Sequence, residues 1–279
     1  MNRELLVRFL REYPFQPATA MWRAVEVDQV IALGLPPGRG LDLGCGDGLL
    51  TRVLLEGTGP RDLVGVDPDP AEVAQARLLG IYTAVYAAGG DHVPEQDESF
   101  DWVLANSVLE HIDDIDPVLA EVARLLRREG RFVFTVPGAG FHTCLRGPIR
   151  PGASRPDYLR RLDARLAHRR YWEPDEWRSR LEDHGLRLET ITGYLNRAEV
   201  RRWESVSRLT AGLLYGLVGG RSQPIEIQRS LGMRRPGQRM PGPLAGAAAA
   251  LLSAGVGSGE PRGATPAGAY LFVAVKDDQ

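Results

Sequence analysis

The stretch that decides the fold runs from residue 40 to residue 50 and reads Gly-Leu-Asp-Leu-Gly-Cys-Gly-Asp-Gly-Leu-Leu. Its apolar first part predicts a short strand, Leu41–Leu43, and a helical pattern begins at Leu49. Between them, glycines let the backbone turn sharply and approach a ligand closely, because glycine has no Cβ. The free amides at the start of the next helix attract negatively charged or electron-rich groups. The stretch therefore predicts a ligand-binding strand–turn–helix unit.

A second apolar strand, Leu63–Val66, leads directly into Asp67 and Pro68. An acidic side chain at the end of the second strand can accept hydrogen bonds from both hydroxyls of a ribose. A dinucleotide fingerprint, Gly-x-Gly-x-x-Gly, would require a glycine at the position of Leu49. The two strands therefore predict a nucleoside site, and the glycine spacing argues against a dinucleotide.

The pattern Asp-x-Gly-x-Gly-x-Gly over residues 42–48 resembles motif I of the class I S-adenosylmethionine-dependent methyltransferases. Asp67 matches the acidic residue that follows the second strand in that family. Residues 98–112 resemble its fourth strand and the following helix, and residues 125–137 resemble its fifth strand. The resemblance implies an α/β fold: a Rossmann-like, mostly parallel seven-stranded sheet with helices on both faces, plus helical lid insertions.

The same resemblance implies S-adenosyl-L-methionine as the cofactor. It assigns cofactor binding to residues at the strand ends, namely Asp42, Gly44, Cys45, Gly46, Gly48, Asp67, Pro68, Gly90, Asp91 and Asn106. In the family, an aspartate near the adenine often follows the third strand, but here Gly89 stands at that position. We expect Asp91, or the backbone amides of Gly89 and Gly90, to replace it. Asn106 ends the fourth strand and is expected to contact the amino-acid end of the cofactor.

Methyl transfer from a sulfonium is an in-line displacement, so the protein mainly aligns the acceptor and excludes water. His111 is the candidate general base. Some members of the family bind a divalent metal through Glu-x-x-Glu-His, but Ser107 replaces the first glutamate here, and we expect no metal. Candidate acceptor-binding residues come from the N-terminal helices and from the insertion after the fifth strand: Tyr13, Trp22, His142, Tyr158 and Tyr171.

Strands alternate with helical patterns along the chain, as in a parallel sheet covered on both faces. We divide the chain into an N-terminal helical cap (1–35), a cofactor-binding core (36–137), substrate-lid insertions (138–268) and a final core strand (269–279). Helix 174–184 and strand 186–192 fall within the insertions but are assigned to the core. The remaining predicted helices cover 2–13, 20–33, 49–55, 71–79, 116–128, 158–170 and 198–218, and the remaining strands cover 81–86, 102–105 and 132–136.

The composition is that of a globular protein, with 43% hydrophobic and 25% charged residues among 279. Two cysteines cannot form a disulfide framework, which favours reduced thiols and a cytoplasmic location. The weakly polar runs are too short, or too rich in glycine and alanine, to span a bilayer. Peripheral membrane contact through residues 198–218 and 244–256 is an alternative role for those segments.

Charge divides unevenly along the chain, although the formal net charge is only −2. Residues 1–137 hold 12 Arg and 22 Asp plus Glu, whereas residues 138–279 hold 22 Lys plus Arg and 14 Asp plus Glu. A basic second half can face an anionic small molecule, or its arginines can simply solvate exposed helices. No nucleic-acid-binding module is recognisable, so no nucleic-acid partner is expected.

These features predict an S-adenosylmethionine-dependent methyltransferase that acts on an oxygen or nitrogen of a small molecule, such as a natural product, a sugar or a lipid-linked precursor. One alternative is a non-catalytic protein that retains the cofactor pocket. A second is a nicotinamide-dependent oxidoreductase, against which Leu49 argues.

Overall fold

A computed structural model describes residues 1–56, 61–149, 151–212, 239–254 and 266–277, with only the backbone described for 211 and 212. Seven strands form one sheet in the order β3-β2-β1-β4-β5-β7-β6. They are β1 (Gly40–Leu43), β2 (Leu63–Asp67), β3 (Ala84–Ala87), β4 (Phe100–Asn106), β5 (Leu126–Pro137), β6 (Leu186–Tyr194) and β7 (Ala269–Lys276).

The sheet is mostly parallel, as predicted. Strand β1 is parallel to β2 and β4, β2 is parallel to β3, and β4 is parallel to β5. Strand β7 runs antiparallel to β5, with Phe134 opposite Phe272. All four residues of β1 and the first four of β2 are buried, which is typical of parallel strands covered on both faces. The fold class is therefore confirmed.

Ten α-helices are found among the described residues. They are α1 (Arg3–Glu12), α2 (Pro17–Leu33), α3 (Leu49–Leu54), α4 (Pro70–Leu78), α5 (Asp116–Leu125), α6 (Gly140–Cys144), α7 (Arg155–Leu166), α8 (Pro174–Glu182), α9 (Arg197–Ser207) and α10 (Gly242–Ser253). Local capping explains several starts. The side chain of Asp69 accepts a hydrogen bond from the amide of Ala71 at the start of α4, and Asn196 and Glu199 form a capping box on α9.

Some predicted boundaries were wrong. Helix α5 ends at Leu125, not at residue 128, because Leu126 is extended and pairs with Phe100 of β4. Arg127 and Arg128 consequently belong to β5 and not to the last turn of the helix. Strand β3 begins at Ala84, so residues 81–83 precede it.

Helix α7 covers Arg155–Leu166 instead of residues 158–170. It begins earlier because Ser154 caps it and Pro156 is compatible with a first turn. It ends earlier because Ala167 adopts a left-handed conformation with φ of 56°. The predicted helix 198–218 is α-helical only as far as Ser207, and a π-helical turn, Arg208–Gly212, follows.

The chain forms two compact units that interleave along the sequence. The sheet unit comprises Gln29–Gly138, Arg170–Gly193 and Ala269–Gln279. Its aromatic core is centred on Phe134, whose ring centroid lies 5.1 Å from that of Trp177 and 4.9 Å from that of Phe272. These contacts join β5, α8 and β7 within one core.

The helical unit comprises Met1–Asp28, Ala139–Arg169 and Tyr194–Gly268. Three of its rings pack edge to face: the Trp22 centroid lies 5.5 Å from Phe141 and 5.7 Å from Trp203, and Phe141 lies 5.5 Å from Trp203. Each ring comes from a different segment of the chain, so this cluster joins α2, α6 and α9.

Two expectations extend beyond the described residues: the end of the predicted helix 198–218 and parts of the segment 244–256. Among the described residues, no helix combines the length and the apolar character needed to cross a membrane.

Candidate functional site

The candidate site lies where the strand order of the sheet unit reverses. Strand β1 is flanked by β2 on one side and by β4 on the other, so the connections that leave their carboxyl ends diverge. Ligands of doubly wound sheets bind in the crevice at this point. A Cβ added to Gly44 would lie 2.5 Å from a methyl carbon of Val108, which shows that the turns after β1 and β4 are in contact.

The glycine loop, residues 44–48, requires glycine for two different reasons. Gly44, Gly46 and Gly48 have φ values of 75°, 53° and 75°, in the left-handed region that favours glycine. At Gly44 the neighbouring Val108 leaves no room for a side chain, whereas a Cβ at Gly46 would meet nothing within 4 Å. The backbone at Gly46 therefore lies against open space, as a ligand-binding turn requires.

Asp67 lies beside this loop. One carboxylate oxygen accepts a hydrogen bond from the amide of Gly46 at 2.9 Å, and the other accepts from the amide of Asp69 at 2.9 Å. A carboxylate has about four acceptor positions, so two remain for a ligand. Burial raises the pKa of Asp67, while the two amides oppose that rise. Pro68, the next residue, is exposed.

Asp42 is buried beneath the loop, with 3% of its surface exposed. Its Oδ2 atom accepts hydrogen bonds from the hydroxyls of Thr51 and Tyr82, each at 2.6 Å. Burial raises its pKa to about 6, and the two hydroxyl donors limit the rise. Sequence reasoning missed Thr51 and Tyr82, since neither belongs to the glycine pattern. A hydroxyl in the first turn of α3 was the only local signal.

Cys45 is buried within the loop and has no disulfide. Burial, followed by the nearby charges of Asp42 and Asp67, raises the pKa of its thiol far above the usual range. The thiol is therefore neutral, and it packs with Val73 and Val85. Its side chain fills space under the loop, which is a structural role.

The turn after β3 contains the residues expected near an adenine. A Cβ at Gly89 would collide with the Oδ1 atom of Asp91, so the Asp91 carboxylate already occupies the space next to Gly89. Gly90 packs against Leu43 of β1, which places this turn next to the end of the first strand. Asp91 itself is exposed.

Asn106 ends β4 and is buried, with 7% of its surface exposed. Neither its Oδ1 nor its Nδ2 atom has a hydrogen-bond partner among the residues that the structure describes. Buried amide side chains are normally hydrogen-bonded, and an orphaned one needs an explanation. A polar ligand at this edge of the sheet would supply the missing partners.

His111 lies in the same turn, at the end of a short 3₁₀ helix, Leu109–His111. Its side chain is 41% exposed, and its Nε2 atom is 3.9 Å from the buried carboxylate of Glu110. The guanidinium of Arg170 donates to the carbonyls of Leu109, Ile112 and Asp113 and so holds this turn. The sequence offered no indication of that contact, because Arg170 follows 58 residues after Ile112.

The remaining acceptor-binding candidates are divided between the two units. Tyr171 belongs to the sheet unit and is half-buried. Tyr13, Trp22, His142 and Tyr158 belong to the helical unit. Tyr13 is buried and stacks on Phe9, with ring centroids 6.1 Å apart, while Trp22 is part of the aromatic cluster described above.

Within the helical unit, His142 and Tyr158 each contact a carboxylate. The Nε2 atom of His142 lies 2.9 Å from Oδ1 of Asp163, so this ring is oriented by its acidic partner. The hydroxyl of Tyr158 donates to Glu204 at 2.7 Å, and burial together with this bond raises its pKa to about 12. Tyr158 is thus a poor proton acceptor at neutral pH.

Comparison with known proteins shows the family of the chain. A family model described as a methyltransferase domain matches residues 41–134, which contain the glycine loop, Asp67, Asn106 and His111. A ubiquinone biosynthesis O-methyltransferase from Xanthomonas oryzae pv. oryzae is 30% identical over 209 residues, which cover 71% of this chain and 81% of that protein.

Two solved structures share the fold. One is an S-adenosylmethionine-dependent methyltransferase from Thermotoga maritima, described as a possible histamine N-methyltransferase. It is 16% identical to this chain, and the superposition covers 98% of this chain and 99% of that protein, with a TM-score of 0.55. The other is a geranyl diphosphate methyltransferase in complex with S-adenosylmethionine. It is 17% identical to this chain, and the superposition covers 94% of this chain and 90% of that protein, with a TM-score of 0.54.

The chain belongs to the class I S-adenosylmethionine-dependent methyltransferase family. It is an enzyme of that class, and its cofactor is S-adenosylmethionine. The open backbone at Gly46 and the orphaned amide of Asn106 fit that cofactor, which carries both polar and charged groups. The nicotinamide-dependent alternative is rejected.

Proposed function

We propose that this enzyme methylates a hydroxyl oxygen of a small organic acceptor, of the natural-product or lipid-linked kind. The observation that carries the proposal is the relative from Xanthomonas oryzae, an O-methyltransferase of which this chain covers 81%. Nitrogen acceptors and sugars are the alternatives within the same reaction class.

We further propose how the sheet unit holds the cofactor. Asp67 accepts hydrogen bonds from the ribose diol, using the carboxylate positions that the amides of Gly46 and Asp69 leave open. Asn106 binds the amino-acid end, which supplies partners for its buried amide. Asp91 and the amide of Gly90 line the adenine position, next to Pro68.

When bound, S-adenosylmethionine supplies a methyl group that is already activated by a sulfonium leaving group. The chain therefore needs to align an acceptor oxygen, exclude water and remove one proton. We assign the proton to Nε2 of His111, which lies at the same edge of the sheet as Asn106 and next to the Glu110 carboxylate. This ring nitrogen would accept the hydroxyl proton as the acceptor oxygen takes the methyl group, and the methyl–sulfur electron pair would stay on sulfur, which leaves as a neutral thioether.

Acceptor recognition is assigned to the remaining sequence candidates: Tyr13, Trp22, His142, Tyr158 and Tyr171. All five carry a group that can hydrogen-bond an acceptor, and the arginine-rich second half of the chain supports an anionic acceptor. Asp163 orients the ring of His142, which makes His142 the strongest competitor of His111 as the general base.

A transfer assay tests the acceptor class. The full chain is incubated with S-adenosylmethionine carrying a labelled methyl group and with matched hydroxylated and amino compounds that share one carbon skeleton. Label is expected in the hydroxylated member of each pair. Transfer to the amines alone would contradict the oxygen assignment, and tight cofactor binding with no transfer would contradict the proposed acceptor class.

A variant pair tests the base. His111→Gln is expected to lower kcat about 100-fold or more and to flatten its pH dependence, because base catalysis contributes about 10²–10⁴-fold. His92→Gln, which replaces an exposed histidine of the same unit, is the matched control. If His142→Gln and not His111→Gln flattens the pH profile, the assignment to His111 is wrong.

A further inference from the structure

A shared acceptor atom joins three separate parts of the sheet unit. Oδ2 of Asp42, on β1, accepts from Thr51 in the first turn of α3 and from Tyr82 in the segment between α4 and β3. Both hydroxyl–carboxylate distances are 2.6 Å, in the range of charge-assisted O–H···O⁻ bonds. The glycine loop lies between Asp42 and Thr51 in the sequence, so this contact closes the loop at its base.

The ring of Tyr82 is packed against the same loop. A Cβ at Gly48 would lie 2.9 Å from Cε2 of Tyr82, and a Cβ at Gly65 would lie 3.2 Å from its Cδ1 and Cε1 atoms. The ring also packs against a buried cluster that includes Cys45 and Val85. The ring of Tyr82 therefore lies directly against the backbone of Gly48, the last residue before α3.

Hydrogen bonds to the second strand, β2, hold the beginning and middle of the loop. The amides of Gly44 and Cys45 donate to the carbonyl of Val66, and the amide of Gly46 donates to Asp67. The end of the loop, from Asp47 into α3, relies on the Gly48 amide bond to Cys45 and on local turn contacts. Glycines adopt many conformations when unbound, so holding this end in place lowers the entropic cost of binding.

We propose that Tyr82 and Thr51 are positioning residues for the cofactor. Through the Asp42 carboxylate, their two hydroxyls hold the Gly48 end of the glycine loop in its binding conformation. Neither residue belongs to the glycine pattern, and neither is required to contact the cofactor. The proposal rests on the cofactor of the family and not on the acceptor or the general base.

The hydrogen bonds from Tyr82 and Thr51 are stronger when the Asp42 carboxylate is charged, so their strength depends on pH. Its surroundings contain the acidic side chain of Asp67 and the neutral thiol of Cys45, and Asp47 lies near that thiol. Each hydroxyl donor favours the charged carboxylate and so lowers the pKa of Asp42. Removing the Tyr82 hydroxyl raises the pKa of Asp42 further. In that variant Asp42 would therefore take up its proton, and the loop would lose this support, at a higher pH than in the unaltered protein.

The first test compares two tyrosine variants that undergo the same chemical change. Tyr82→Phe is expected to weaken S-adenosylmethionine binding about five- to tenfold in titration calorimetry at pH 7.5, the size of one ordinary lost hydrogen bond, because the hydroxyl acts on the cofactor only through the loop. Tyr86→Phe, whose hydroxyl instead donates to Glu95, is expected to bind within about twofold of the unaltered protein. Equal affinities for Tyr82→Phe and the unaltered protein would overturn the proposal.

A second pair keeps the proposal testable if Tyr82→Phe does not fold. Thr51→Val removes the hydroxyl and preserves the side-chain shape, and Thr51→Ser restores the hydroxyl. We expect weaker binding in the first and recovery in the second. Equal losses in both variants would identify Thr51 as a packing residue and overturn its assigned role.

The pH dependence of binding separates positioning from packing. For the unaltered protein, affinity is expected to fall as pH drops through about 6, where Asp42 takes up a proton. In Tyr82→Phe this fall is expected at a higher pH, whereas Tyr86→Phe keeps the original profile. An unchanged profile in Tyr82→Phe would overturn the proposal. Failure of the unaltered protein to bind at any pH would instead overturn the proposed cofactor site.

Discussion

The buried carboxylate of Glu204 in the helical unit and the carboxylates at the candidate site of the sheet unit have different partners. In the helical unit, Glu204 accepts from the amides of Arg146 and Gly147, from the Tyr158 hydroxyl and from the Arg208 guanidinium. In the sheet unit, Asp42 accepts from two neutral hydroxyls and Asp67 from two neutral amides. Within the described part of the chain, neither aspartate forms an ion pair.

This difference separates structural charges from those of the binding site. A buried carboxylate is costly unless a cation or several donors compensate it, and Glu204 has both kinds of partner. Asp42 lacks a cation and has a raised pKa as a result of its burial. Anionic side chains without a cationic partner suit a ligand that itself carries positive charge, as S-adenosylmethionine does at its sulfonium and amino groups.

The largest expected effect is the loss of Glu204. Glu204→Ala leaves the Arg208 guanidinium, two amides and the Tyr158 hydroxyl without their acceptor, and it is expected to lower the free energy of unfolding by about 3–5 kcal/mol. Urea titration measures this loss. Glu204→Gln keeps an acceptor oxygen and should lose less; a loss below about 1 kcal/mol in Glu204→Ala would remove the distinction between Glu204 and the carboxylates of the candidate site.

The pH dependence of stability tests the opposite behaviour of Asp42. Its folded-state pKa of about 6 exceeds the ordinary value of 3.8 for an aspartate, so the folded state binds the proton more tightly than the unfolded chain does. Stability from this group is therefore present below about pH 4 and is lost as pH rises to 6. Over that range the unaltered protein should lose about 3 kcal/mol more than Asp42→Asn.

That comparison is made by urea unfolding of both proteins between pH 4 and pH 6.5. Groups other than Asp42 contribute equally to both proteins, so the difference isolates this carboxyl. If the two proteins gave parallel curves of unfolding free energy against pH, burial would not disfavour the charged form of Asp42.

Cofactor affinity distinguishes Asp67 from its neighbour Asp69. Asp67→Ala removes the acceptor assigned to the ribose diol and should weaken S-adenosylmethionine binding about 30-fold or more, as expected for hydrogen bonds to a charged group. Asp69→Ala removes the side chain that caps α4 and should cost about 1 kcal/mol of stability with little change in affinity. Calorimetry and thermal unfolding measure the two effects, and similar affinities in both variants would contradict the assignment.

The smallest expected effect concerns Glu26 in the helical unit. The Tyr194 hydroxyl donates to this buried carboxylate at 3.2 Å, while Arg23 pairs with it at 2.6 Å. Tyr194→Phe should lower the free energy of unfolding by only about 1 kcal/mol, because the arginine still compensates the charge. A loss above about 3 kcal/mol in denaturant titration would show that the Arg23 guanidinium alone does not compensate the buried Glu26 carboxylate.

The site was predictable where its residues act through the local backbone. The glycine loop and Asp67 follow strands whose apolar pattern is visible in the sequence, and the structure places them together. Tyr82 was not predictable as a site residue, because it lies 40 residues from Asp42 and its hydroxyl carries no distinguishing pattern. The end of α5 was misplaced because pairing of Leu126 with β4 overrides the helical preference of residues 126–128.

The sequence by itself determined the order of strands and helices, the left-handed turns that need glycine, and the family to which the chain belongs. These properties depend on residues that are close along the chain, where backbone sterics and apolar periodicity act directly. Only the tertiary structure decided which side chains compensate Glu204, which hydroxyls hold Asp42, and that Asn106 is left without a described partner. Those outcomes depend on contacts between distant segments, and local preference carries no information about them.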